Sequence, residues 1–155
     1  MGWLNSGDDR QSIIGVLPDI ATAFDALYQA LWTQPHLPAA TLELCRLRLA
    51  QLHRCAAELQ RRDCDIPVGK RENLQSWPVH NEFSDADRAC LAFTEVYAMD
   101  AQAITDELAD AVKTHFGDAG LVLLVEALGI LDGMIRLSLL WGLPATPDLH
   151  NPEEA

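Results

Sequence analysis

The stretch LELCRLRLAQLHRCAAELQRRDC, Leu42 to Cys64, concentrates the side chains of this 155-residue chain that could do chemistry. The stretch carries Cys45, Cys55 and Cys64 and is dense in arginine, with Glu43, Gln51, His53 and Glu58 among them. Thiol redox chemistry uses such residues: a thiolate attacks an oxidant, nearby charges set its pKa, and a second thiol resolves the sulfenic acid formed. On an unbroken helix, Cys55 and Cys64 would be separated by about 13 Å of rise, far beyond disulfide reach. Cys45, ten residues the other way, fails similarly. Only a chain break after Cys55, or Cys90 folded alongside, would supply an internal partner. Arg54, Arg62 and a protonated His53 favour a Cys55 thiolate, whereas Glu58 opposes it, so the sign of the shift depends on geometry. The bland alternative is that Glu58 and Arg62, four apart in the favourable order, pair on one helix face. Cys45 and Cys90 fall on apolar faces and read as small core residues.

These residues need helices to position them. From Asp19, the apolar residues Ile20, Phe24, Leu27 and Leu31 recur at helical spacing, and TQPHLP stops that helix. A long helix is expected from about Pro38 to the region of Arg62. Residues 63–82 read as a polar connector with room for one short turn. Ser84 to Asp87 reads as a cap for a helix using Ala89, Cys90, Phe93, Val96 and Tyr97. Another helix uses Ile104, Leu108, Ala111 and Val112 and stops at Gly117, with Asp118 capping a last helix from about Ala119 to Trp141. Residues 1–17 read as an irregular lead-in. No alternating strand pattern or repeat occurs, so the fold class is all-α, in one domain.

Charge narrows the partners. A formal net charge of -12 lacks the basic footprint that nucleic acid or anionic lipid requires. Glu126, Asp132 and Arg136 interrupt the apolar run LVLLVEALGILDGMIRLSLLW, so it reads as a buried or interface helix rather than a membrane span. Gly129 and Gly133 bare one backbone face of that helix, Asp132 and Arg136 are spaced to pair, and an oligomer is expected. No tight grouping of His, Cys and carboxylates implies a metal, and no cofactor is implied. Four cysteines without disulfide density, and no secretory signal, indicate free thiols in a reducing cytoplasm. MGWLNS fits the loose N-myristoylation pattern, read here as chance.

From Pro38 to Pro144 the chain resembles the AhpD-like (alkylhydroperoxidase-like) branch of the carboxymuconolactone decarboxylase family. The resemblance rests on Glu43, LRLAQL and Cys55, then on FSDADRACLAFTEVYAM, and then on the C-terminal segment from Ile104 to Pro144, including Arg136. In that branch the motif is Cys-x-x-Cys-x-x-x-His, with the second cysteine attacking peroxide, the first resolving, and glutamate and histidine relaying protons. Here Glu58 stands where the second cysteine belongs and Arg62 where the histidine belongs. The resemblance implies an all-helical trimer or hexamer of the antioxidant kind, with a small thiol or dithiol as reductant. The two replacements imply that hydroperoxide reduction is weak, altered or lost. Surviving redox chemistry would use Cys55, with Glu43 and His53 handling protons. Two other readings stay open: a non-enzymatic oligomeric binding or scaffolding protein, and a lactone decarboxylase-like enzyme. The latter would hold a small carboxylated substrate with Arg46, Arg48, Arg54 or Arg136. The candidate site residues are therefore Glu43, His53, Cys55, Glu58 and Arg62.

Overall fold

The computed structural model describes residues 3–5 and 7–145, and within them the chain is all-helical. Gly2 of the myristoylation pattern and most of the tail after Pro144 lie outside the described residues.

α1 (Arg10–Ile14) is a single short turn capped by Asp9, whose carboxylate accepts from the Ser12 amide. It occupies what reads from sequence as an irregular lead-in, because five residues are too few to show a period. α2 (Pro18–Thr33) starts with proline in its first turn, where a missing N–H costs nothing. Leu31 is buried, but Ile20 and Leu27 of the expected apolar stripe are exposed. The inward face is carried instead by Phe24, Tyr28 and Trp32: Phe24 stacks on Tyr28, and Tyr28 meets Trp32 edge to face.

α3 (Ala39–Leu52) is the central helix. Leu42, Cys45 and Leu49 enter the main core, while Leu44 and Leu47 enter a second cluster with Leu74, Trp77, Phe83 and Leu91. Burial on two opposite faces explains why α3 reads poorly as amphipathic. The long helix expected to continue to Arg62 breaks after Leu52; α4 (Ala56–Gln60) follows in a new direction. The connector holds α5 (Val68–Glu72) and a 3-10 turn, Leu74–Ser76.

α6 (Asp85–Met99) begins in a reciprocal capping box. The Ser84 hydroxyl accepts from the Asp87 amide and the Asp87 carboxylate accepts from the Ser84 amide. Asp87 also receives Thr41 of α3 and Lys70 of α5, at 3.0 and 2.6 Å. Burial works against the Asp87 charge, but Lys70 and the cap hold its carboxyl below the ordinary value. One carboxylate thus ties three helices.

α7 (Asp106–Leu140) comprises two segments meeting at Gly117, whose φ of 66° suits glycine. Ile104 precedes it in extended backbone rather than opening it. Leu124, Leu128, Leu131 and Ile135 pack against α3 and α6. Each such leucine, fully buried, stabilises by roughly 1.5–3 kcal/mol. No helix among the described residues is long and apolar enough to cross a membrane.

Candidate functional site

The break after α3 creates the site. Arg54 adopts φ 54°, the Cys55 amide donates to the Ala50 carbonyl at 2.9 Å, and the Arg54 amide donates to Gln51 at 3.1 Å. This is a Schellman stop with arginine in the left-handed position usually taken by glycine. It turns the chain so that Cys55 becomes the N-cap of α4 and Glu58 sits in the first helical turn. Both side chains point inward: Cys55 and Glu58 are each 2% exposed.

Arg46, one turn along α3 from Glu43 and 1% exposed, organises the interior. Its Nε and Nη2 grip the Glu43 carboxylate at 2.8 and 2.7 Å. Its Nη1 and Nη2 also donate to the backbone carbonyls of Glu58 and Arg61, both at 2.8 Å. Those carbonyls close the C-terminal end of α4, where no intrahelical donors remain. Asp63 lies 3.2 Å from Arg46 Nε, and Tyr28 and Arg61 both donate to Asp63 at 2.6 Å. The Glu58 carboxylate receives Ser138 of α7 at 2.5 Å and Arg10 of α1, with Arg46 Nη1 at 3.4 Å.

The titration shifts follow from this packing. Burial raises the Glu43 and Glu58 carboxyls above their ordinary values, although Arg46 pulls both down and Ser138 adds to the pull on Glu58. Burial works against the Arg46 charge, but Glu43 and Asp63 more than offset it, so Arg46 stays cationic. Burial, then Asp63, pushes the Tyr28 phenol up. For Cys55, burial is the largest cause of a raised thiol and the Glu58 carboxylate adds to it. The Glu58 and Ala57 amides and Arg46 act the other way and lose. The sign left open by sequence is therefore upward: Cys55 is a poor thiolate at neutral pH.

Three of the five sequence candidates, Glu43, Cys55 and Glu58, meet at this network, with Arg46 between the carboxylates. The other two do not. α4 ends at Gln60 and Arg61 is extended, so Arg62 is not one helical turn from Glu58. Arg62 is exposed, and Glu58 is instead engaged by Arg10, Arg46 and Ser138. His53 does not stand free in solvent: its Nε2 meets Asp132 at 2.5 Å, and Arg136 holds the other Asp132 oxygen at 2.6 Å. The arginines suggested for a carboxylated substrate do not converge. Arg46 is buried in the network, Arg48 serves Glu95 and Gln51, and Arg136 serves Asp132. Gln51 is simply the acceptor for Arg48.

Cys55 is not bonded to any of the remaining thiols. Cys90 lies against Cys45, both fully buried, as the core reading expects. Cys64, beyond the break, is half-buried with its sulfur on the Asp65 carbonyl at 3.5 Å. All four cysteines are free thiols.

Arg10, Tyr28, Arg61, Asp63 and Ser138 were not singled out from sequence. Arg10 sits on a helix too short to detect, and Arg61 falls near the end of the long helix expected from Pro38 to about Arg62. Arg10 and Arg61 line two cavities. One, of about 160 Å³, is bounded by Ala57 and Glu58. The other, of about 540 Å³, lies against α1 and α2. Among the described residues no grouping of His, Cys and carboxylates could hold a metal ion.

No protein-family model matches the sequence, and no curated protein is similar enough in sequence to register as a relative. Solved structures do match. An uncharacterized peroxidase-related protein from Silicibacter sp. TM1040 superposes with a TM-score of 0.78 at 14% identity, over 90% of this chain and 77% of that one. A protein of unknown function from Agrobacterium tumefaciens, proposed as an antioxidant defence protein AhpD, gives 0.75 at 17%, over 88% and 97%. A variant of the debrominase Bmp8 bound to 2,3,4-tribromopyrrole gives 0.77 at 14%, over 88% and 75%. At such identities the likeness concerns architecture, and the architecture is unambiguous: this chain has the AhpD-like helical fold.

Proposed function

We propose that this chain is an AhpD-like protein of the antioxidant kind, in which a slow one-thiol reaction at Cys55 replaces the two-thiol peroxidase cycle. The observation that supports the reading is the arrangement at α4: Cys55 stands at the N-cap and a buried carboxylate, Glu58, in the first turn, where the family pattern would have the attacking sulfur. The carboxylate is fixed by Arg10, Arg46 and Ser138, so it neither swings aside nor performs thiol chemistry.

In the proposed reaction, the Cys55 thiolate attacks the distal oxygen of a hydroperoxide. The O–O bond breaks, the sulfur becomes a sulfenic acid, and the alkoxide takes a proton to leave as alcohol. A small external thiol then condenses with the sulfenic acid, releasing water and forming a mixed disulfide. A second external thiol releases Cys55 as thiol and departs as the oxidised disulfide. Glu43 and Glu58, both with raised carboxyls, are the nearby proton carriers. Self-association is part of the reading. α7 leaves Val122, Val125 and Leu140 exposed beside the bare Gly129 and Gly133, a surface suited to another copy.

Hydroperoxide consumption with a dithiol donor, comparing the parent with Cys55→Ser at pH 7 and pH 9.5, tests the proposal. A Cys55-dependent rate that is small at pH 7 and larger at pH 9.5 is expected. Equal rates at both pH values end it. One observation favours a second reading, a binding protein without turnover: Cys55 is almost wholly enclosed. Equal rates together with a native thiol that resists titration would establish that reading instead.

A further inference from the structure

The larger cavity lies outside the segment that carries the family resemblance on most of its wall. Of about 540 Å³, it falls within the range that small organic ligands occupy. α1 and α2 supply an apolar side through Ile14, Ala21 and Phe24, and Tyr28, Arg10 and Arg61 add polar groups to the lining. The Phe24 and Tyr28 rings stack at 5.5 Å with 29° between their planes. Both rings border the cavity, one stacked on the other. The Arg61 guanidinium stands 5.8 Å from the Tyr28 ring centroid.

Both guanidiniums retain donors. Arg10 engages Glu58 and Ser138 through Nη2 alone. Arg61 commits Nη2 to Asp63 and has Nε 3.9 Å from Glu58. Arg10 Nε and Nη1 and Arg61 Nη1 thus have no partner among the described residues. Behind the wall, Arg10, Arg46 and Arg61 balance Glu43, Glu58 and Asp63, provided that every carboxyl is charged. Burial pushes Glu43 and Glu58 toward the neutral form, and each proton taken up leaves one guanidinium uncompensated. Asp25, the one carboxylate in the lining among the described residues, is exposed, so solvent screens its charge.

We infer that this cavity is a binding site for an aromatic carboxylate, its ring against Phe24 and Tyr28 and its carboxylate between Arg10 and Arg61. A guanidinium meets a carboxylate through paired, charge-assisted hydrogen bonds. An amide of the same shape supplies neither the charge nor the second acceptor. The site stands independently of thiol chemistry at Cys55.

Calorimetric titration of the full chain with 1-naphthylacetate and with 1-naphthylacetamide tests the assignment, in the parent and in Cys55→Ser. Saturable binding of the acid in both proteins, with the amide weaker by about tenfold or more, is expected. Arg61→Gln should remove that preference. Ala21→Phe, which places a ring in the cavity, should abolish binding of both compounds. Circular dichroism establishes that each variant is folded. A further variant, Thr22→Phe, fills the same cavity from an exposed position should Ala21→Phe fail to fold. Absence of saturable binding at millimolar acid, equal affinity for acid and amide, or undiminished binding in the filled variant would each overturn the assignment.

Discussion

Replacing Arg46 by methionine keeps much of the side-chain volume and deletes the charge at the centre of the site. Arg46 is 1% exposed and Glu43, which it grips at 2.7 and 2.8 Å, is fully enclosed. Removing one partner of a buried ion pair costs about 3–5 kcal/mol, because the other is left charged without compensation. The Glu58 and Arg61 carbonyls also lose their donor, at about 1 kcal/mol each when no water replaces it. Arg61 is partly exposed, so water reaches that end of α4, and the total is set at about 4–6 kcal/mol. A domain of this size is stable by only about 5–15 kcal/mol. The loss should depend on pH. Without Arg46, burial and the Asp63 charge act on Glu43 with only the Asp63 amide opposing them, so its folded-state carboxyl rises further above the unfolded value. The folded variant then binds more protons than the unfolded chain, and stability falls as pH rises. Urea unfolding at pH 5.5 and pH 8, followed by helical circular dichroism, reads both effects. The penalty should be larger at pH 8, and adding Glu43→Gln should recover part of it. A loss below about 1.5 kcal/mol at pH 8, or a loss that shrinks with pH, would refute Arg46 as the centre of a buried charge network.

Three further outcomes follow from the site geometry. Arg54→Gly should raise stability by about 0.5–1 kcal/mol, and Arg54→Val should lower it by about 1 kcal/mol, since the position is left-handed. Thermal unfolding resolves the difference at about 2–4 °C per kcal/mol, and the reverse order would contradict the Schellman turn. Glu58→Cys should place two thiols at the N-cap and first turn of α4, within disulfide reach. Mass spectrometry after mild oxidation should show the bridge to Cys55; its absence would contradict that placement. Glu58 has a raised folded-state carboxyl, so its contribution is present below the ordinary value of 4.5 and lost as pH rises above it. The parent should therefore lose stability relative to Glu58→Gln from about pH 4.5 upward, and a gain over that range would reverse the sign.

What sequence reveals here depends on distance along the chain. Helices with a local cap or a regular apolar period were legible: Ser84 and Asp87 announce α6, and Gly117 announces the bend in α7. Glu43, Cys55 and Glu58 were legible through residue type and the family pattern. The break after Leu52 was not, because arginine rather than glycine occupies the left-handed position. Everything that depended on an unbroken helix then changed, including the pairing of Glu58 with Arg62. Partners supplied from far along the chain were equally silent. Ser138 reaches Glu58 from α7, Asp132 reaches His53, and Arg10 arrives from a five-residue helix. No spacing rule connects such residues, since only the packing of α1, α3, α4 and α7 brings them together.

Thiol alkylation of the native protein as a function of pH addresses Cys55 most directly. Cys64→Ser removes the more accessible sulfur, and mass mapping after digestion assigns the label. With the Cys55 thiol raised above its ordinary 9.0 by burial and by Glu58, labelling should be slow at pH 7 and still climbing at pH 9. Rapid stoichiometric labelling of Cys55 at pH 7, levelling off below pH 9, would contradict a buried, carboxylate-opposed sulfur.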